Sequence, residues 1–322
     1  MKFHLRGGEF SLADIAKGRP LALIHGGAAA VDNQATGSSP GIHPSHEAFP
    51  RVEAELARAG TDSIRPSAFL ATLLSEASEA EKYVLNALRL LEEEPSFNAG
   101  RGAALQSDGV PRVSASFMES ERLNFSALMN AEGILCPSEL AFFLQKERYT
   151  VLDHRGAESL ANRLGIARED LVTPARRAAW ERQERGKTGT VGSVALDHLG
   201  KIAAGTSTGG LGHEVVGRVG DTPTVAGNYA STRAAVSCTG IGEQILDLSF
   251  ASRTVIRVED GLSLADAFAR GLGEAAARGY KFAAIAVAYH PNSRRAEWAA
   301  GATTSRFLWS AATPKGWERT DL

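Results

Sequence analysis

The chain is short of several things that would set its class at once. Only two of its 322 residues are cysteines, Cys136 and Cys238. Neither fits a metal-ligand spacing or a disulfide framework, so both are expected to be buried small hydrophobes. Charge of one sign is scarce: 35 Lys and Arg stand against 37 Asp and Glu, a formal net charge of −2. No basic field advertises a nucleic-acid partner. No apolar run approaches the roughly 20 residues of a membrane span. Met1 to Pro20 lacks an apolar core of signal-peptide length, and a cytoplasmic protein is expected. Two loop histidines, His43 and His46, have no further ligands nearby in sequence, so no side-chain metal site is expected. The glycine clusters lack the strand–turn–helix context and acidic partner of a dinucleotide site. Apolar residues, by contrast, make up 43% of the chain, enough for a substantial core. The length suits one large domain or two medium ones.

Periodicity gives a coarse map. Leu21 to Ile24 reads as a short buried strand, and residues 29–45 as a loop. Pro66 to Glu94 carries Phe69, Leu73, Leu74, Tyr83, Leu85, Leu88 and Leu91 at helical spacing, one or two amphipathic helices with Pro66 suited to the start. Ala103 to Leu105 and Val113 to Met118 read as strands. Pro137 to Tyr149 and Gly156 to Leu164 read as helices. Arg168 to Lys187 is charged and reads as a solvated linker or frayed helix. Thr190 to Leu196 and Ile202 to Thr206 flank a turn at Asp197-His-Leu-Gly200 and form a hairpin. Ala234 to Cys238 is a strand leading into a helix from Ile241. Ser263 to Arg278 is helical. Phe282 to Tyr289 and Arg295 to Thr303 form a second hairpin, and Arg306 to Ala311 a last strand. Helices first and strands next suit layered antiparallel sheets between helices; periodicity alone gives a mixed α/β class, and the finer α+β class rests on the motifs.

The most informative stretch is Lys187-Thr-Gly-Thr-Val-Gly-Ser-Val-Ala-Leu-Asp197. An internal threonine is a poor nucleophile, because its hydroxyl needs a base. Cutting the Gly189–Thr190 bond would give Thr190 its own α-amine, with a reference pKa of about 8. That amine can serve as the base for the neighbouring hydroxyl. Gly189 suits such a cut, since it lacks a Cβ and leaves its carbonyl open to attack.

Further motifs stand around this one. Ile24-His-Gly-Gly-Ala28 and Phe97-Asn-Ala-Gly-Arg-Gly102 precede it. Ala203-Ala-Gly-Thr-Ser-Thr-Gly-Gly210, Gly217-Arg-Val-Gly-Asp-Thr-Pro223 and Ser237-Cys-Thr-Gly-Ile-Gly-Glu243 follow it. Their order and spacing resemble the plant-type asparaginase and isoaspartyl peptidase family of N-terminal-nucleophile hydrolases. The resemblance runs from about Leu21 to about Glu243 and is weak beyond.

The resemblance implies an αββα sandwich made of two segments. Residues 1–189 form a helix-rich alpha segment ending in a linker at about 165–189, and residues 190–322 a beta segment that starts at the nucleophile. It implies that Thr190 attacks, that Thr208 tunes its hydroxyl, and that the Thr239 hydroxyl and Gly240 N–H stabilise the oxyanion. Asn98 is expected near the nucleophile. Arg218 would pair with a substrate α-carboxylate and Asp221 with an α-ammonium, helped by Gly242 and with Gly210 beside them. The implied activity is hydrolysis of isoaspartyl dipeptides, β-aspartyl amides or L-asparagine, without a cofactor. Main-chain carbonyls of Leu91 to Arg101 would hold a structural sodium ion, and the assembly would be a dimer of αβ units. Two other readings are a glycosylasparaginase-type amidase, against which Gly189 argues, and an uncleaved binding protein, against which the intact site residues argue. The chain departs from the family at Ser114, where an acidic residue is usual, and at Glu119-Ser120, in place of the usual Asp-Gly. It departs again at Glu214, where a lysine is expected at the rim of the site, and in its C-terminal part. Residues 1–20 carry no assigned role.

Overall fold

The computed structural model describes residues 2–16, 20–29, 44–59, 70–183 and 189–319. Strands β1 (His4–Ser11), β2 (Leu21–Ala29), β3 (Arg112–Glu119), β4 (Ser126–Glu132) and β5 (Val151–Leu152) come before the Gly189–Thr190 bond. After it come β6 (Val191–Leu196), β7 (Ile202–Thr208), β8 (Asn228–Ala230), β9 (Ala234–Gly240), β10 (Phe282–His290), β11 (Arg295–Ala302), β12 (Arg306–Thr313) and β13 (Gly316–Arg319). They form an eight-stranded sheet in the order β13-β12-β2-β6-β7-β3-β4-β5 and a five-stranded sheet in the order β1-β11-β10-β9-β8.

The helices are α1 (Leu12–Ile15), α2 (Pro44–Ala59), α3 (Ala71–Glu76), α4 (Glu79–Glu93), α5 (Pro137–Leu144), α6 (His154–Arg163) and α7 (Pro174–Glu181). After the Gly189–Thr190 bond follow α8 (Gly242–Leu248), α9 (Phe250–Glu259) and α10 (Leu264–Ala277). Helix α4 begins because Ser78 and Glu81 close a reciprocal cap. Its Tyr83, Val84, Leu88 and Leu91 then face the eight-stranded sheet in one buried stripe. Truncating Leu88 to alanine there would cost roughly 2–5 kcal/mol. Helices α9 and α10 cover the five-stranded sheet with Phe250, Val255, Phe268 and Leu272. Between the sheets lies a third apolar layer, with Leu23, Met118, Val194 and Ala204 facing Ala235, Ile285, Val287 and Trp298. The result is the helix–sheet–sheet–helix sandwich that the resemblance implies.

Both segments build both sheets. β2 pairs with β6 on one side and β12 on the other, and β1 pairs with β11. A cut before Thr190 would therefore leave two chains locked in shared hydrogen-bonded sheets.

The one or two helices expected over Pro66 to Glu94 are two, α3 and α4, parted at Ala77 because Ser78 caps the second; Pro66 and Phe69 themselves lie outside the described residues. Other sequence expectations need correction. Ala103 to Leu105 is not a strand. The chain there leaves a single 3-10 turn at Gly100–Gly102, and Leu105 makes one isolated bridge to Pro111. The charged segment after Arg168 contains the ordered helix α7, capped by Thr173; residues 184–188 lie outside the described set, as do most of the expected loop 29–45 and His43. Helix α2 and strands β1, β4, β8 and β13 were not foreseen.

Candidate active site

Strand register assembles the site. Ser114 pairs with Thr208 across β3 and β7, and Val191 pairs with Ser207 across β6 and β7. Side chains two residues apart share a face. Ser114, Thr208 and Thr190 therefore stand in one row on the face turned toward the five-stranded sheet. One step deeper come Ser116, Thr206 and Gly192, with His25 beside Gly192. One step deeper again, at Met118, Ala204, Val194 and Leu23, the same face is apolar core. The inter-sheet layer thus turns from apolar to hydroxyl-rich at one end, and Thr190 lies there.

Thr190 is buried, and its Oγ1 donates to Thr208 Oγ1 at 3.1 Å. Thr208 Oγ1 also accepts from the Gly210 N–H at 3.2 Å. Asn98 ties this turn to the Phe97 motif: its Nδ2 donates to the Gly210 carbonyl at 2.6 Å and its Oδ1 accepts from Ala104 N at 2.8 Å. Thr239, two residues along β9 from Ser237, is fully buried, and its Oγ1 has no hydrogen-bond partner among the described residues. A buried hydroxyl without a partner is costly, and such groups concentrate at working sites. Gly240 ends β9, paired with Phe282.

His25, in the Ile24-His-Gly-Gly-Ala28 motif, takes a part that the motif alone does not reveal. Its ring is fully buried, with Nδ1 at 3.0 Å from the Thr190 carbonyl and Nε2 at 2.9 Å from Ser237 Oγ. A carbonyl can only accept, so Nδ1 carries the ring proton and Nε2 accepts from the serine hydroxyl. Ser237 Oγ also lies 2.7 Å from Thr206 Oγ1, whose proton goes to Asn228 Oδ1 at 3.1 Å. Burial pushes the His25 pKa down to about 3. The ring is a neutral clamp on the Thr190 main chain and too weak a base for its hydroxyl.

Two glycines of the motifs make room for this arrangement. A Cβ on Gly192 would overlap Ser237 Oγ and His25 Nε2. A Cβ on Gly27 would lie 2.6 Å from the Gly189 Cα, so the Gly189–Thr190 segment packs directly on the His-Gly-Gly strand. The signal for both was in the sequence as motif glycines, but their partners come from distant stretches of the chain.

Arg218, Asp221 and Gly242 also come together: the place of a Gly242 Cβ is 2.8 Å from Arg218 Nη2 and 2.8 Å from Asp221 Oδ1. The Asp221 carboxyl is buried, and its Oδ2 has no partner among the described residues. Burial pushes its pKa up to about 7, against hydrogen bonds from its own main chain and the attraction of Arg218. Arg218, expected to meet a substrate carboxylate, already has a partner. Its Nε and Nη2 each meet a Glu243 carboxylate oxygen at 2.9 Å, a two-pronged pair. This pair holds the Glu243 carboxyl below its usual range. Glu214 is also not the rim charge expected of it. Its Oε1 accepts from Leu211 N at 3.3 Å, and its Oε2 is buried against the Gly210 turn. The exposed positions beside it are Val215 and Val216. Ser114 donates nothing acidic to the row; its Oγ accepts from Asn130 N at 3.0 Å.

Among the described residues, one cluster of metal-ligand type stands elsewhere: Glu132, His154 and Glu158. Arg112 pairs with Glu132 at 2.8 Å, Arg168 with Glu158, and His154 Nδ1 donates to Asn130 O at 2.8 Å. These partners make it an ion-pair network.

The comparisons agree with the geometry. A family profile described as asparaginase matches residues 19–321, so the likeness continues well past Glu243, where the motifs had faded. An isoaspartyl peptidase/L-asparaginase of Synechocystis sp. is 38% identical over 288 residues, 83% of this chain and 82% of that protein. One of Nostoc sp. is 44% identical over 236 residues, 67% of this chain and 74% of that protein. The Homo sapiens isoaspartyl peptidase/L-asparaginase is 33% identical over 309 residues, 91% of this chain and 93% of that protein. No described helix is long and apolar enough to cross a membrane. The chain therefore belongs to the asparaginase family, on a profile match that takes in the His25, Thr190, Arg218 and Thr239 motifs together.

Proposed function

We propose that this protein is a self-processing amidohydrolase that cleaves isoaspartyl dipeptides and L-asparagine through an N-terminal Thr190. The observation that carries the reading is the Thr190 hydroxyl, 3.1 Å from Thr208 Oγ1, with His25 held neutral beside it. No side-chain base engages that hydroxyl among the described residues, so an α-amine released by cutting is the natural base.

In the first step Thr190 Oγ attacks the Gly189 carbonyl. The peptide C–N bond breaks, the nitrogen becomes the Thr190 amine, and an ester forms. Water opens the ester to give chains 1–189 and 190–322. In turnover the amine takes the hydroxyl proton, and Oγ attacks the side-chain carbonyl of the substrate. The unpartnered Thr239 hydroxyl and the Gly240 N–H stabilise the oxyanion. The leaving amine departs protonated, and water releases aspartate from Oγ. Asn98 positions the Thr208–Gly210 turn. Arg218 takes the α-carboxylate in place of Glu243, and Asp221 takes the α-ammonium, with Gly242 leaving space for both.

Enzymes of this family need no cofactor. A structural sodium ion in the Leu91 to Arg101 loop has oxygen donors to support it. The Glu92 and Leu135 carbonyls crowd Gly100, and the Pro95 and Phe97 carbonyls crowd Gly102; main-chain carbonyls are the kind of donor a hard cation takes. Phe97 O also accepts from Arg176 Nη2 at 3.1 Å, which leaves it the least available of them. A dimer of cleaved αβ units completes the proposal.

The test is a denaturing gel with N-terminal sequencing. Wild type is expected as two chains, the second starting at Thr190, and Thr190→Ala as one chain without activity on β-aspartyl dipeptides. A second chain starting elsewhere, or an active Thr190→Ala protein, would overturn the reading.

A further inference from the structure

Helix α7 is the last element before Thr190 and supplies none of the groups assigned to Thr190 or the substrate. It is nonetheless tied down along its length. Thr173 caps its first turn. Arg176 Nη2 donates to Phe97 O at 3.1 Å, and Trp180 Nε1 donates to Gln106 O at 2.8 Å. The Trp180 ring lies parallel to that of His213, with centroids 5.5 Å apart and planes within 3°. Parallel rings at that separation are offset, a favoured aromatic arrangement. Trp180 belongs to the segment before Thr190 and His213 to the segment after it, so the stack spans the Gly189–Thr190 bond.

His213 is the strained point of the loop that runs from β7 to Arg218. Its φ is +58°, in the left-handed region. A residue other than glycine stays there only when its surroundings hold it. The main chain is pinned on both sides: His213 N donates to Leu105 O at 2.8 Å, and Ser107 N donates to Glu214 O at 2.9 Å. The Trp180 ring holds the side chain. Beyond these anchors the loop is exposed at Val215, Val216 and Gly217. Arg218 N then donates to Val215 O at 3.1 Å and closes the turn that presents the arginine. Asn130 Nδ2 holds the far end of this turn, donating to Arg218 O at 3.2 Å. One end of the turn is thus set by Asn130, and the other by the anchored stretch at His213. The nucleophile is held separately. Strand register places Thr208 and Thr239, Thr208 meets the Thr190 hydroxyl, and Asn98 holds the Gly210 turn.

We propose that α7 is a strap on the substrate loop, with Trp180 a positioning residue that, through His213, keeps Arg218 where it meets the substrate α-carboxylate. The inference rests on that assignment of Arg218. After self-cleavage the end of chain 1–189 stays in service on chain 190–322. The stack biases the loop by no more than its own strength, and it acts on substrate binding while the steps at Thr190 are left alone.

The test measures kinetics of the self-cleaved protein on β-Asp-Leu, beside a denaturing gel and a melting curve. Trp180→Ala and His213→Ala are each expected to raise KM about three- to tenfold, the span of one aromatic pair. Their kcat should stay within about twofold of wild type, since ground-state binding alone is touched. Trp180→Phe keeps a ring for the stack and should recover most of the KM, although it loses the bond to Gln106 O. The double variant Trp180→Ala/His213→Ala should be no worse than either single one, because the same stack is lost once. Both rings are half-buried at the surface, so the two-chain pattern and Tm should be kept. An unchanged KM in both alanine variants would overturn the strap. So would a fall in kcat at constant KM, additive effects in the double variant, or no recovery with phenylalanine. A wild type that cleaves itself but ignores β-aspartyl substrates would sink the substrate reading and the strap with it, whereas an active wild type with indifferent variants sinks the strap alone.

Discussion

Replacing Asp221 by asparagine should make the protein more stable above neutral pH while destroying substrate binding. The Asp221 carboxyl is buried, with one oxygen unpartnered, and its pKa is pushed from 3.8 to about 7 by loss of water. In the unfolded chain the group ionises near its ordinary value. Between about pH 4 and pH 7 the folded protein therefore holds a proton that the unfolded chain has lost. The contribution of the group to stability is full below that window, falls as pH rises through it, and is gone above about pH 7. At pH 8 the ionised carboxylate costs roughly 4 kcal/mol relative to an unperturbed one. Water entering through the substrate pocket offsets part of this, leaving about 1–3 kcal/mol to be measured. For a chain of 322 residues that is about 2–4 °C in Tm. The assay is thermal unfolding of wild type and Asp221→Asn at pH 4, 5 and 8. Tm should nearly match at pH 4, the variant should lead slightly at pH 5, and its lead should be largest at pH 8. On a β-aspartyl dipeptide, wild-type kcat/KM should rise with pH through about 7 as the ammonium partner ionises, and Asp221→Asn should lose about 30-fold or more. Parallel Tm profiles would refute the burial argument. An unchanged kcat/KM would refute the ammonium assignment.

Arg218→Ala should cost roughly 2–5 kcal/mol in kcat/KM, because it strips the carboxylate partner from a closed pocket. Self-cleavage should survive, since no free carboxylate takes part in it; the gel and the kinetics report the two separately, and wild-type kinetics would make Arg218 a mere partner of Glu243. Gly192→Ala would force a Cβ into the His25–Ser237 contact and should lose about 1–3 kcal/mol of stability, seen as a lower urea midpoint; an unchanged midpoint would mean the clamp yields freely. Substrates with free α-groups should be strongly preferred, so α-linked Asp-Leu should be hydrolysed far more slowly than its β-linked isomer. Within the β-linked set, β-Asp-Leu should not trail β-Asp-Lys, because the Glu214 carboxylate is turned in and valines stand at the rim; a large lysine preference would restore Glu214 to the rim.

Much of the candidate site was legible because its residues sit in contiguous motifs. A glycine before a threonine, a Ser/Thr run ending a strand, and an Arg and Asp three apart all survive as local text. Partners were not legible. Glu243 sits in the first turn of α8, yet it grips Arg218 from 25 positions away. Glu214 was placed at the rim from its charge alone, and the turn at Gly210 draws it inward. Strand β1 was silent because His4 to Ser11 is polar and glycine-rich, and it becomes a strand only by pairing with β11. Ala103 to Leu105 failed in the opposite sense: it has strand-like apolar residues but only one bridging partner.

The sequence by itself determined the period and polarity of each element, the position of Thr190 behind a glycine, and the helical caps, because these depend on neighbours a few residues apart. Only the tertiary structure decided the rest. It brought β2, which precedes Thr190, between two strands that follow it, and so locked the two segments together. It set His25 against Thr190 across 165 positions, and with burial made that ring a clamp instead of a base. It raised Asp221 toward neutrality by removing its water. Loss of solvent and contact across sheets are properties of packing, and no stretch of chain carries them alone.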